Sequence, residues 1–450
     1  MNTHDLLTKA GYAGRPDYPQ IARRAAALAR QNLTAEKILA TVTAEFSPVE
    51  PQLTLRDHPL NFAMYGTPGE DFEHGAVKQM RTAMSLPVAV SGAMLPDAHP
   101  GYALPIGGVV ALDRAISPMF VGVDIACRMT LSILDLSPVE FMTHRDQLAA
   151  DMRAISSFGM GASFSGKERR DHPVMIQPLW QELPTLRSLK DLAWQQLGSS
   201  GGGNHFFDAV IGEVMAEVEW LPLRQGQLFV AMMTHSGSRK TGATLAGHYA
   251  KLAIQETTRI ARGIPKDYEW LGIDTDPGRE YLAVMNLMGS YAEANHQLIH
   301  DLFLKRSGLN QIARYQNHHN YAWLRPDGTV IHRKGATPAG KGQVGIIPGS
   351  SGTPSYLVEG LGNPASLESS SHGAGRPFSR SEAKRRHDEQ FFQDWMAEHG
   401  ILFFGVAPDE TLLAYKDIER VMGLQTDLVR PVAKMLPKVV IMGGKSDDGD

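Results

Sequence analysis

The first sixty residues carry apolar side chains at helical spacing, most regularly in IARRAAALARQNLTAEKILATVTAEF. They predict a helical leader that Pro48, Pro51 and Pro59 interrupt. HGAVKQMRTAMSLP predicts a short helix that leads into the strand-like PVAVSGAML. From there to about residue 135 the chain is β-prone and punctuated by Gly and Pro. Residues 138–195 are patterned as helix and loop, and QLFVAMMTHSGS as a buried strand ending in a polar turn. A long helix is predicted over REYLAVMNLMGSYAEANHQLIHDLFLKR, stopped by SGLN. TVIHRKG and GQVGIIPGSSGTPSYLV predict strands, SRSEAKRRHDEQFFQDWMAEHG a helix with a capping Ser, and KVVIM a last strand. Strands and helices mix without regular βα alternation, so the expected class is α+β. With no repeat period and no linker visible after residue 70, the expected division is a helical N-terminal extension over 1–70 and one domain over 71–450.

Net charge is -4 and the pI is near 6.5, so any contact with nucleic acid needs a local basic patch rather than a global field. MNTHDLLTKAGY lacks the basic start and apolar core of a signal peptide, and no apolar run is long enough to span a bilayer. The single cysteine, Cys127, excludes an internal disulfide. Together these features set the expectation of a reducing cytoplasm and no membrane contact.

Cys127 follows Asp124 by three residues in VGVDIACRM, which puts one hard and one soft ligand atom on a short tether. The thiol is a buried spectator, a reactive group or a metal ligand, and its neighbourhood favours the third. His205, His235 and His319 lie in the polar contexts GGGNHFF, THSGSR and NHHNYAW. Borderline divalent ions accept carboxylate, imidazole and thiolate together; any one of these histidines is equally readable as a hydrogen-bonded structural group. Asp97 and His99 in LPDAHPGYALPIGG belong either to a working site or to a satisfied turn. His296 and His300 share a face of the predicted long helix, but no Glu follows His296, and they are read as ordinary helix positions. Gly198–Asn204, His235–Gly242 and Pro348–Thr353 are Gly-rich loops able to cradle phosphate, though none is a P-loop or a dinucleotide fingerprint. His372 in ESSSHGAGRPFSRSEAKRR is flanked by small residues, with Arg376 four positions on. That suits attack on phosphorus; the alternative is a helix-capping loop.

LPDAHPGYALPIGG, VGVDIACRM, LGSSGGGNHFF, THSGSR, HHNYAW, RKGATPAGKG, IIPGSSGTPSY, SSHGAGRPFSRSEAK and AYKDI occur in the order seen in the RtcB-type RNA ligases, and the chain resembles that family over roughly residues 75–445. The resemblance implies a single α+β catalytic domain with mixed sheets around a cleft holding two Mn²⁺ ions, working with GTP in RNA repair or tRNA splicing. It implies Asp124, Cys127, His205, His235 and His319 as metal ligands, with the thiolate touching both ions. It implies His372 as the nucleophile that takes GMP from GTP, and RNA with 2′,3′-cyclic phosphate or 3′-phosphate and 5′-hydroxyl ends as the substrate. Asn204, Asp208, His319, Asn320, Pro348, Gly349, Ser350, Ser351, His372, Gly373, Ala374, Gly375 and Tyr415 match nucleotide-binding positions. Asp97, His99 and Arg239 match positions at the phosphate or RNA end, and an archease-type activator is an implied partner.

Three positions depart from the family pattern. Met442 stands where a guanine-contacting Lys is expected, with Lys445 nearby in a shifted register. Asp208 replaces a Glu, and Arg128 a Gly. Met442 and Asp208 motivate a second reading, a metal-dependent RNA phosphodiesterase or phosphatase without nucleotide transfer; a third is a non-catalytic RNA-end binder, against which the retained ligand types and His372 stand. The charge runs Lys167, Arg169, Arg170 and Lys384, Arg385, Arg386 are candidate phosphate contacts or ordinary solvated faces.

Overall fold

The computed structural model describes residues 2–444 except 14, 16, 47–52 and 160. Its centre is an eight-stranded sheet. Gln311–His318, Arg128–Leu134, Leu228–Ser236, Phe206–Val214, Val429–Met442, Ser355–Gly360 and Val344–Ile347 lie side by side in that order, each antiparallel to its neighbour. Leu402–Phe404 runs parallel to the end of Val429–Met442. The mixture of helices and sheets is the expected α+β class.

Two-residue alternation sorts the side chains of each strand between two cores. In Leu228–Ser236, Phe229, Ala231 and Met233 join Met129, Leu131 and Val210 on one face. Val230 and Met232 join Phe207, Ile299 and Phe303 on the other. His235 continues the first series and Thr234 the second. The second face is covered by the helices Pro138–Ile155 and Asp276–Ser307. The latter begins at a capping Thr275 and ends at Gly308 in the left-handed conformation.

The long helix is cross-linked to the sheet by polar groups. The Thr234 hydroxyl lies 2.6 Å from His296 Nδ1 and 2.8 Å from His300 Nε2, and His300 Nδ1 lies 2.8 Å from Ser132 Oγ. Both histidines are fully buried. Read from the sequence they are ordinary helix positions; in the structure they are instead hydrogen-bonding groups of the core.

A second, five-stranded sheet has the order Asn320–Leu324, Thr329–Lys334, Ile106–Asp113, Ala89–His99, Ala63–Met64. His319 is the single residue between the edge strands of the two sheets, Gln311–His318 and Asn320–Leu324.

The leader is three helices, Thr3–Lys9, Tyr18–Arg30 and Ala35–Glu45, around a core of their own that includes Leu7, Tyr12, Ile21, Leu28, Ile38 and Val42. The helical part is shorter than the predicted 1–70. Leu53–Thr54 pairs with Ala261–Arg262, Ala63–Met64 joins the five-stranded sheet, and Leu55, Leu60 and Phe62 pack into the main body. No helix among the described residues is long and apolar enough to cross a membrane.

Candidate active site

Five predicted ligand residues converge at one end of the central sheet. The helix Pro118–Val121 stops at Gly122, and Ala126 takes a left-handed φ of 59°. That turn delivers Asp124 and Cys127 immediately before the strand Arg128–Leu134. Such a conformation is costly for a residue with a Cβ and is found where the surroundings enforce it. His205 precedes Phe206–Val214, His235 lies at the end of Leu228–Ser236, and His319 sits at the junction of the sheets. Cys127, His235 and His319 form one group of ligand atoms, and Asp124, Cys127 and His205 a second, so Cys127 is common to both.

Cys127 Sγ is 3.1 Å from His235 Nε2 and 3.4 Å from His205 Nε2. His235 Nε2 is 3.1 Å from His319 Nε2, and His205 Nε2 is 3.1 Å from Asp124 Oδ2. The loop after His235 approaches Asp124 closely because residue 237 is Gly: a Cβ there would lie 2.1 Å from Asp124 Oδ1, while the Ser238 amide donates to that oxygen at 3.1 Å.

Burial and the Asp124 carboxylate push the Cys127 thiol well above its usual range. Burial holds His235 and His319 well below theirs. Burial also opposes ionisation of Asp124, but the His205 contact outweighs it and its pKa is lowered. His235 Nδ1 donates to the Asn204 carbonyl at 3.0 Å, which turns the lone pair of Nε2 toward the cluster.

The donor set fits divalent ions. Ligand atoms sharing one tetrahedral ion at ordinary bond lengths are about 3.3–3.6 Å apart, close to the separations here. Carboxylate, imidazole and thiolate together suit a borderline cation.

His372 stands next to this cluster, its ring 4.9 Å from that of His319. Its Nδ1 is 2.6 Å from Asp97 Oδ2, and the same oxygen accepts the His372 amide at 3.1 Å. Asp97 is fully buried. Burial alone would raise its pKa, but the contact with His372 reverses the direction and keeps it ionised. Gly375, at φ +72°, lets the following loop close on this pair; a Cβ there would lie 2.1 Å from the Asp97 carbonyl oxygen. His99 Nδ1 is 3.0 Å from that same carbonyl, and burial lowers its pKa to about 3, leaving a neutral ring.

A cavity of about 480 Å³ opens beside His372 and reaches His235. The predicted nucleotide residues Asn204, Asp208, Pro348, Gly349, Ser350, Ser351, Gly373, Ala374, Gly375 and Tyr415 all line it, as does His99. Two others do not. The Asn320 amide bridges the Asp124 carbonyl, at 3.3 Å, and the Gly335 amide, at 2.7 Å, and so holds the Asp124–Cys127 turn in place. The Arg239 guanidinium donates to Ser199 Oγ at 3.2 Å and to the Gly159 carbonyl at 2.6 Å, bracing the loop before His205.

The departures also find their places. Met442 pairs in register with Phe206, and both line the cavity. Asp208 is buried on its wall with Oδ1 unpartnered, and burial pushes its carboxyl well above the usual range. Arg128 turns to the helical side, 2.9 Å from His318 Nδ1 and 3.4 Å from Glu293. Lys445 lies outside the described residues.

Motif reading passed over an ionic network at the cavity's far end. Arg376 is 2.6 Å from Glu410, Arg380 is 3.1 Å from Asp409, and the Tyr415 hydroxyl is 3.1 Å from Arg376. The buried acids Asp409 and Glu410, in APDETLL, gave no spacing signal. Of the charge runs, Lys384 lines the cavity, whereas Arg169 pairs with Asp191, Arg170 donates to the Gly198 and Ile155 carbonyls, and Arg385 and Arg386 pair with Glu382.

Comparison with known proteins agrees with this geometry. Residues 79–182 and 180–443 match the family described as tRNA-splicing ligase RtcB. The RNA-splicing ligase RtcB of Escherichia coli (strain K12) is 29% identical over 422 residues, covering 87% of this chain and 99% of the relative. The tRNA-splicing ligase RtcB of Thermococcus kodakarensis is 30% identical over 427 residues, covering 78% of this chain and 87% of the relative. The RNA-splicing ligase RtcB of Mycobacterium tuberculosis is 28% identical over 417 residues, covering 78% and 96%. With the motifs in family order and the family match covering most of its length, this chain belongs to the RtcB family.

Proposed function

We propose that the chain is a Mn²⁺- and GTP-dependent RNA ligase. It joins a 2′,3′-cyclic phosphate or 3′-phosphate end to a 5′-hydroxyl end through GMP held on His372. Family membership supports RNA ligation. The observation that carries the mechanism is the His372 ring, fixed by buried Asp97 and set between the donor cluster and a nucleotide-sized cavity.

Asp97 accepts the Nδ1 proton and so leaves the lone pair on His372 Nε2. Nε2 attacks the α-phosphorus of GTP, and the bond to pyrophosphate breaks. When the RNA end is cyclic, water opens it to a 3′-phosphate. An oxygen of that phosphate then attacks the phosphorus on His372, and the P–N bond breaks to return the free imidazole. The 5′-hydroxyl loses its proton, attacks the activated 3′-phosphorus and expels GMP. A 3′-phosphate has no good leaving group until this activation. Two Mn²⁺ ions held by Asp124, Cys127, His205, His235 and His319 would supply polarisation of phosphate oxygens and neutralisation of their charge. Asn204, Ser350, Ser351 and Tyr415 would orient the nucleotide. The three helices before residue 47 are an appendage in this reading, and an archease-type activator and a cytoplasmic setting belong to it.

The test is incubation with Mn²⁺ and α-labelled GTP, with labelled ATP in parallel. Acid-labile, alkali-stable label is expected on wild type and absent from His372→Ala. No label from either nucleotide, on folded and metal-loaded protein, overturns the reading. Met442 and Asp208, whose Oδ1 is unpartnered on the cavity wall, favour the phosphodiesterase as the second reading. In that case His372→Ala would still open cyclic phosphates without GTP.

A further inference from the structure

The loop between Ala89–His99 and Ile106–Asp113 is anchored at both ends in the site, because Pro100 and Ile106 line the nucleotide cavity. Its tip is tied down from below. Gln79 donates to the Gly101 carbonyl and accepts the Gly101 amide at 3.0 Å. The buried Lys334 ammonium donates to the Tyr102 carbonyl, and the Tyr268 hydroxyl donates to the Ala103 carbonyl at 2.8 Å. Ala103 itself takes a left-handed φ of 57°. Yet this fixed loop presents the Tyr102 ring to solvent, 46% exposed.

A second exposed apolar side chain shares the same support. Val123, beside the ligand residue Asp124, is 45% exposed. Lys334 Nζ donates to the Met119 carbonyl at 3.2 Å, and its Cε is 3.6 Å from where a Cβ on Gly122 would stand. The same ammonium lies 6.0 Å from the Tyr102 ring centroid. The next residue, Gly335, packs on His372, whose Cε1 is 3.0 Å from the position of a Cβ there. Lys334 therefore ties the Tyr102 loop to the turn Met119–Gly122 that leads into Asp124, at the joint between the nucleophile and the donor cluster.

We propose that Tyr102 is a stacking platform for the nucleobase at one of the RNA ends being joined; this rests on the RNA-ligase reading above. An aromatic face held rigidly in water accepts any base without choosing its sequence. That is the tolerance a joining enzyme needs at its ends.

The test uses full-length protein with Mn²⁺, GTP and RNA carrying 2-aminopurine in turn at the 3′-phosphate end and at the 5′-hydroxyl end. Wild type is expected to quench the fluorophore at one end. Tyr102→Ala should lose that quench and raise KM for RNA about tenfold, while Tyr102→Trp keeps both. Labelling of His372 by GTP, which needs no RNA, reports that the variants are folded. No quench at either end, or an unchanged KM in Tyr102→Ala, overturns the platform while leaving ligation intact. Equal damage in Tyr102→Trp and Tyr102→Ala also overturns it, since shape rather than stacking would then decide. A wild type that neither binds nor joins RNA overturns the ligase reading and the platform with it.

Discussion

Asp97 decides which nitrogen of His372 is available. Its carboxylate engages Nδ1 at 2.6 Å and is fully buried, so water does not compete for it. Asp97→Asn keeps the shape but offers an amide in place of the acceptor. It is expected to slow nucleotide transfer to His372 on the order of 10²-fold or more, read from the rate of label uptake; an unchanged rate would remove Asp97 from the mechanism. Asp208 makes the opposite kind of prediction. Burial raises its folded pKa above the ordinary value of 3.8. Above about pH 4 the unfolded chain has lost a proton that the folded chain retains, so this residue lowers stability as pH rises. Asp208→Asn removes that term. Its stability relative to wild type, measured by urea unfolding, is therefore expected to grow from pH 4 to pH 7, and a constant difference would refute the assignment. The chemical identity of these residues was legible in the sequence through the motifs that carry them. Their protonation was not, because it depends on neighbours more than a hundred positions away.

Alternation within one strand separates chemistry from support. His235 faces the donor cluster, while Thr234 turns to the long helix and bonds both His296 and His300. Thr234→Val leaves two buried ring nitrogens without partners and is expected to cost about 1–3 kcal/mol, seen as a lower urea midpoint with unchanged slope. Elements with strong periodicity, such as Asp276–Ser307 and Leu228–Ser236, were readable from pattern alone. Arg239–Ile260 was not, because Gly242, Gly247 and four threonines weaken its helical signal, and burial of Leu245, Tyr249 and Ala253 makes up the difference. One predicted helix is two, Arg380–Arg386 and Glu389–Glu398, because Asp388 caps a new start after His387. The last strand is far longer than KVVIM. Pro431 and Pro437 conceal it, and the register shifts beside Pro437 and between Leu357 and Val358 on the partner strand accommodate them.

At the scale of the whole molecule, the N-terminal helices have a core separate from the rest and touch it through Thr3–Lys9 against Arg239–Ile260. Deleting residues 1–46 is expected to leave the main thermal transition within a few degrees and His372 labelling intact; loss of the transition would show that the helices are integral. The site draws on residues from Asp97 to Met442, and no local pattern announces that convergence; the order of motifs did, through the resemblance. Cys127→Ala is expected to abolish stoichiometric Mn²⁺ uptake, measured by metal analysis after desalting, because both donor groups depend on that atom. One consequence of the shared sulfur concerns measurement. The chain has a single thiol, and it is buried among the ligand atoms. A colorimetric thiol reagent therefore has no second cysteine to contend with: any reaction reports Cys127 and the donor cluster around it. Because burial and Asp124 keep that thiol protonated, folded chains are expected to react slowly, and unfolding in denaturant to release one reactive thiol per chain.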